Sequence, residues 1–309
     1  MAPHRLAALG IVGLLAAACS SGGGATSAPT DATATPTEGA VATPEATVDV
    51  CANPPTMTAG KLTVGADNPA YPPFYIPDDQ PPEGSEWELG QPTNGKGLES
   101  ATAYAIAERL GFAREDVVWV VAPFNTVIQP GDKSFDMYLT QVSYSDERAE
   151  VVDLSDGYFD LNQAVVALAG TPIANVTTVA GLKDFKLGAQ VGTTSYQYIV
   201  DHIQPNVEPN VYDTNDAAIQ ALQAGQIAGI VADLPTTFYM RDAQLTDGTI
   251  VGSLPTAAGE EIEHFSVLLE KDSPLTACVN RAIQELKDDG SLDLIRNEWI
   301  GGSGAPELQ

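Results

Sequence analysis

From residue 61 onward the chain runs in short bursts of apolar positions separated by polar turns. Residues 61–65 alternate as a strand and lead into a proline-held loop, Tyr71-Pro-Pro-Phe74. Over 98–110 the positions Leu98, Ala101, Ala105, Ile106 and Leu110 recur at helical spacing, and Gly111 stops the helix. Residues 117–121 read as a continuous apolar strand and 126–129 as a short helical turn before Pro130. A buried strand is predicted over 135–142, then a short apolar segment over 149–154 that ends in the turn Ser155-Asp156-Gly157. The second half repeats the theme, with strands over 164–169, 186–191, 227–231 and 264–269. Helices fall between them, over 179–182, 196–203, a segment capped by Asn215 or Asp216 and ended by Gly225, and 235–240. Ser273-Pro274 caps a last long helix over 275–286, and 292–299 completes the pattern. Strand and helix alternate throughout, which predicts α/β layers.

The 309 residues allow about two domains. A formal net charge of −27 repels phosphate backbones, so nucleic-acid binding is excluded as a function class. The three histidines, His4, His202 and His264, are scattered, and no metal-ligand spacing exists, so neither a metal nor another cofactor is expected.

The N-terminal stretch differs in kind. Arg5 precedes an apolar run over 6–18 that is too short to span a bilayer and suits a secretory signal peptide over 1–18. The run stops at Leu15-Ala-Ala-Ala-Cys19, which resembles the processing site of bacterial lipoproteins, although Ala16 stands where Leu is usual. That resemblance implies a lipidated Cys19, and ordinary secretion with Cys19 unmodified is the alternative. Residues 20–50 hold no Lys, Arg or aromatic residue, so 19–56 is expected to be a disordered tether. If Cys19 is acylated, Cys51 and Cys278 remain as an even pair in an oxidising compartment, and a disulfide between them is expected.

Arg148 follows the small hydroxyls Ser143 and Ser145, just past the end of the 135–142 strand, where open α/β sheets place ligands. Its planar fork of donors suits a carboxylate. The competing reading pairs it with Asp146 or Glu150 at the surface. Thr193 and Thr194 open a helix whose free N–H groups attract anions, or they only cap it. Asp233 ends a strand before a helix and serves as a ligand acid or as an N-cap.

Seven short motifs stand in order: Tyr71-Pro-Pro-Phe74, Gly97-Leu-Glu99, Phe135-Asp136, Ser143-Tyr-Ser-Asp-Glu-Arg148, Asp153-Leu-Ser-Asp156, Gly192-Thr-Thr194 and Ala232-Asp233. Together they resemble the family 3 solute-binding proteins of bacterial ABC importers, which clamp an amino acid between two α/β lobes. The resemblance implies a two-lobed, periplasmic-binding-protein-like type II fold, each lobe a mixed sheet flanked by helices, joined by two crossing strands. Lobe 1 is expected over 57–160 and 264–303 and lobe 2 over 161–263.

By the same resemblance, Arg148 and Ser143 hold the ligand carboxylate from lobe 1, Thr193 and Thr194 hold it from lobe 2, and Asp233 pairs with the ammonium. Asp67, Tyr71, Phe124, Thr140, Gln141 and Gln190 line the side-chain pocket. Gln141 stands where the family usually has a small residue, and Leu98 and Tyr144 replace commoner Phe and Ile. Asp67 and Gln190 favour a polar or cationic side chain such as glutamine or arginine, because an apolar ligand leaves them unpaired. The implied protein is a monomeric amino-acid receptor that works by hinge closure. Its partners are ABC permease and ATPase subunits, and a lipid anchor holds it at the extracellular face of the membrane. The rival is an enzyme on the same scaffold, such as a dehydratase of cyclic amino-acid precursors.

Overall fold

The computed structural model describes residues 49–301 and 304–309. The expected signal peptide over 1–18, the expected lipidation site Cys19 and the first part of the expected tether lie outside the described residues. Two five-stranded mixed sheets organise the rest.

The first sheet has the order β2-β1-β3-β10-β4, built from β1 (Leu62–Ala66), β2 (Val117–Val121), β3 (Met137–Tyr138), β4 (Asp153–Asp160) and β10 (His264–Leu269). β1 runs parallel to β2 and β3, whereas β10 is antiparallel to β3 and β4. Its helices are α1 (Leu98–Arg109), α2 (Phe124–Val127), α3 (Asp146–Ala149), α7 (Thr276–Asp288) and α8 (Ser291–Trp299). One core joins Leu62 and Val64 of β1 to Ile106 of α1 and to Val279 and Ile283 of α7.

The second sheet has the order β7-β6-β8-β5-β9, from β5 (Gln163–Leu168), β6 (Leu187–Gln190), β7 (Asn210–Tyr212), β8 (Gly229–Asp233) and β9 (Gly248–Ser253). α4 (Thr194–Tyr198), α5 (Asn215–Gln223) and α6 (Leu234–Tyr239) flank it. Here Val165 and Leu187 pack with Ile199 on one face, and Val166 and Ile230 with Leu222 on the other. Strands carry the chain between the two lobes twice, from β4 into β5 and from β9 into β10.

Five local expectations are corrected. The strand at 135–142 is cut to Met137–Tyr138, because Gln141 takes a left-handed conformation (φ 43°) and turns the chain away. Ser155-Asp156-Gly157 is no turn but part of β4. Ser155 Oγ accepts the Val267 N–H at 2.8 Å, and the His264 ring fills the space a side chain at 157 would need. The buried face of α1 runs through Glu99, Thr102, Ala103, Ile106 and Ala107, while Ala101 and Ala105 lie half-buried. The helix over 215–223 is capped by Thr214, whose side chain accepts the Ala217 N–H, not by Asn215 or Asp216. α7 begins at Thr276, one residue later than expected, after a turn in which Ser273 Oγ accepts the Leu275 N–H at 3.3 Å.

Both ends of the described chain are fastened. Cys51 and Cys278 form a disulfide, Arg281 pairs with Asp49 at 3.0 Å, and the Met57 N–H reaches Asp136 at 2.6 Å, so 49–57 lies against lobe 1. After α8 the chain returns to lobe 2, where Glu307 bridges Ser253 and Leu308 is buried against Gly252.

Candidate functional site

A cleft lies between the ends of β1 and β3 in one lobe and of β6 and β8 in the other. Its cavity, of about 70 Å³, is lined by Asp67, Tyr71, Phe124, Thr140 and Gln141 from lobe 1 and by Gln190, Thr193 and Asp233 from lobe 2. Pro69, Ser195, Asn215, Ala232 and Thr236 complete the wall. Two of these residues are acids and none is a cation.

Backbone geometry sets the acids. Asp67 follows β1 directly, where the Asn68 N–H donates to its carboxylate at 2.8 Å and Thr140 Oγ1 accepts its own N–H at 3.0 Å. Burial raises its pKa, against the backbone donors of Asn68 and Phe124. Asp233 closes β8 and caps α6, its Oδ1 accepting the Thr236 N–H at 2.8 Å. Both readings of Asp233 therefore hold at once, as cap and as cavity wall. Burial pushes its carboxyl up to about 6, helped by the nearby Glu263 carboxylate and opposed by Thr236. An uncompensated carboxylate in such a place is poised for a cation.

Arg148, Ser143 and Thr194 lie outside the cavity lining. The Arg148 guanidinium is buried beside the Phe124 ring, 5.6 Å from its centroid. It donates to the Ser143 carbonyl at 2.5 Å and, across the lobes, to the Gly192 carbonyl at 2.6 Å. Asp146 and Glu150 do not bond it; the surface ion pair weighed in the sequence is not formed. Burial lowers its pKa to about 10, against the pull of Glu263 and Glu147. Thr194 Oγ1 donates to Glu263 at 2.6 Å, and Gln163 Nε2 donates to both oxygens of that carboxylate at 3.0 and 2.9 Å. Gln163 opens β5 and Glu263 precedes β10, so this network ties the two crossings to each other. Thr193 caps α4 through the Tyr196 N–H at 3.2 Å.

Other contacts also bridge the lobes. Asn125 Nδ2 donates to the Asp213 carbonyl at 3.1 Å, and the Tyr71 ring meets Tyr239 edge-on, 6.0 Å between centroids. Burial and the Asp216 carboxylate raise the Tyr71 pKa. Gly192 (φ 72°) permits the closest approach, since a Cβ there would stand 2.8 Å from Ile128 Cδ1.

Sequence reasoning assigned no role to Glu99, Gln163 or Glu263. Glu99 is fully buried behind the cavity, where Tyr158 OH and the Gln141 N–H donate to it at 2.6 and 2.5 Å. The Gln141 side-chain amide donates to it as well. Burial raises its pKa to about 7, against these three donors. The signal lay in the motif Gly97-Leu-Glu99, but an acid in a first helical turn usually faces solvent.

Two lobes that enclose a small polar cavity between sheet ends, joined by two crossings, define a solute-binding protein of the periplasmic type. The family profile agrees. Residues 62–302 match the bacterial extracellular solute-binding proteins, family 3, and the chain belongs to that family. Among curated relatives, the arginine-binding extracellular protein ArtP of Bacillus subtilis is 24% identical over 220 residues, covering 70% of this chain and 82% of that one. The L-cystine-binding protein TcyJ of Escherichia coli is 26% identical over 246 residues, covering 78% and 83%. Among solved structures, an ancestral arginine-binding protein bound to arginine is 28% identical, with a TM-score of 0.60, covering 79% of this chain and 99% of that one.

Proposed function

We propose that this protein captures a free amino acid with a cationic side chain between its lobes and delivers it to an ABC permease. The observation that carries the ligand class is the lining, in which Asp67 and Asp233 face the cavity and no cation does. Asp233 takes the α-ammonium and Asp67 the cationic side chain, and Arg148, turning from the Gly192 carbonyl toward the cavity, takes the carboxylate with Thr193. Relatives named for arginine support the choice.

A ligand touched by both lobes stabilises the closed form by its differential affinity, and the closed form docks on the permease. In this reading the chain is exported, anchored through Cys19 and monomeric, and it binds without catalysing. Hydroxyls, amides and aromatic faces make up the rest of the wall with Pro69 and Ala232, which suits holding a ligand more than transferring its protons.

A thermal-shift screen over the free amino acids tests the reading. Ligand at about 100 times its Kd adds about 2.7 kcal/mol of apparent stability. Arginine and lysine are expected to raise Tm most, glutamine less, and glutamate not at all. A screen in which no amino acid raises Tm, or in which acidic ones do so most, overturns it.

A further inference from the structure

Gln141 stands where the main cavity meets a smaller one lined by Tyr71, Pro72, Tyr239 and Met240. A side-chain amide has two unlike ends, a carbonyl that accepts and an NH₂ that donates. Which end an incoming ligand meets depends on what holds the other. Here the NH₂ donates to Glu99, and among the described residues no donor reaches the carbonyl oxygen. Glu99 also takes the backbone N–H of Gln141, which fixes a residue in a left-handed conformation that a non-glycine side chain disfavours by about 1–2 kcal/mol. The carboxylate accepts a third bond from Tyr158 and is sealed from solvent, so it has no competing partner.

We infer that Glu99 is a specificity-determining positioning residue that holds Gln141 with its amide carbonyl toward the ligand and so favours cationic over neutral side chains. The inference rests on the amino-acid reading above and deepens it. A guanidinium offers only donors and satisfies that carbonyl. A ureido group turns a carbonyl of its own toward the same place and leaves two acceptors opposed. With Glu99 neutral, the carboxyl proton needs an acceptor; the Gln141 amide rotates to supply one and presents its NH₂ to the cavity. The titratable groups that face Glu99 are Tyr75, Tyr138, Tyr158 and Asp233, none of them cationic.

Calorimetry on the full chain with arginine and citrulline, near-isosteres that differ at this group, tests the arrangement. The wild type is expected to prefer arginine. Glu99→Gln is expected to cut the arginine/citrulline ratio by about tenfold, while in a Gln141→Met background it changes the ratio by less than about twofold. In the wild type the ratio is expected to fall as pH drops through about 7, and in Glu99→Gln that step is expected to vanish, leaving only the titration of Asp67 at lower pH. If Glu99→Gln does not fold, Gln141→Met alone carries the test, with the same tenfold fall expected.

Equal weakening of both ligands, effects of the two substitutions that simply multiply, or an unchanged ratio in Gln141→Met overturns the inference. Wild-type protein that binds neither ligand overturns the amino-acid reading itself, a result distinct from all of these.

Discussion

The two walls of the cleft are built on different principles. In lobe 1 the cavity residues are held by groups outside the cavity. Asp67 is fixed by neighbouring N–H groups, Gln141 by Glu99 and Phe124 by its own core. In lobe 2 the cavity residues Thr193 and Asp233 are the caps of α4 and α6, so each also completes the start of a helix. Position comes from side-chain networks on one side and from secondary structure on the other. A substitution in the lobe 1 wall can therefore alter binding alone, whereas one in the lobe 2 wall alters folding as well.

Arg148 bonds both lobes from behind the cavity lining, and its loss is expected to have the largest effect. Arg148→Ala removes the donor shared by Ser143 and Gly192 and is expected to weaken ligand binding by about 2–5 kcal/mol, the range for truncating a buried hydrogen-bonded charge. Calorimetry that finds less than about a threefold loss removes Arg148 from the binding account.

The pair Asp233→Asn and Asp67→Asn sharpens the contrast. Asparagine caps helices about as well as aspartate, so either change is expected to leave Tm within a few degrees while weakening arginine by about tenfold or more. Alanine separates the walls. Asp233→Ala is expected to cost a further 0.5–2 kcal/mol or so of stability through the lost cap, and Asp67→Ala is not. Equal stability losses from both alanine variants, measured by denaturant unfolding, break the comparison.

The pH response is shared by the walls. Asp233 and Glu99 have folded values raised to about 6 and about 7 from ordinary values of 3.8 and 4.5. Raised acids favour the fold below their unfolded values, and that stability is lost as pH climbs through the folded ones. Unliganded protein is thus expected to lose stability between about pH 4 and 7 on account of these groups. The lowered carboxylates Asp49, Asp242 and Asp289 sit in exposed pairs and oppose this little. Arginine affinity is expected to move the opposite way, rising through about pH 6 as Asp233 ionises. Unfolding curves at several pH values, with and without arginine, check both signs.

The alternation of strands and helices made the layered fold readable, because buried parallel strands are near-continuous apolar runs. Eight of the residues singled out from the sequence line the cavity: Asp67, Tyr71, Phe124, Thr140, Gln141, Gln190, Thr193 and Asp233. The long-range disulfide Cys51–Cys278 was legible from the cysteine count, but long-range hydrogen bonding was not. Glu99 and Gln141 are 42 positions apart, and Gln163 and Glu263 are 100 apart, with no local pattern to announce either contact. On α1 the alanines misled, since Ala fits both faces of a helix and placed the buried stripe one residue away from Glu99. The return of 304–309 to lobe 2 rests on backbone hydrogen bonds to Ser253, Thr177 and Val179 around one buried apolar residue, Leu308, and such bonds leave no mark in a sequence.

Gly192 carries one more consequence. Its positive φ (72°) is a strain that any larger residue there bears within lobe 2 itself. Contact with Ile128 exists only when the jaws meet. A side chain at 192 would act as a doorstop, leaving the receptor folded and able to touch its nutrient from one side, yet slow to report that it has been fed.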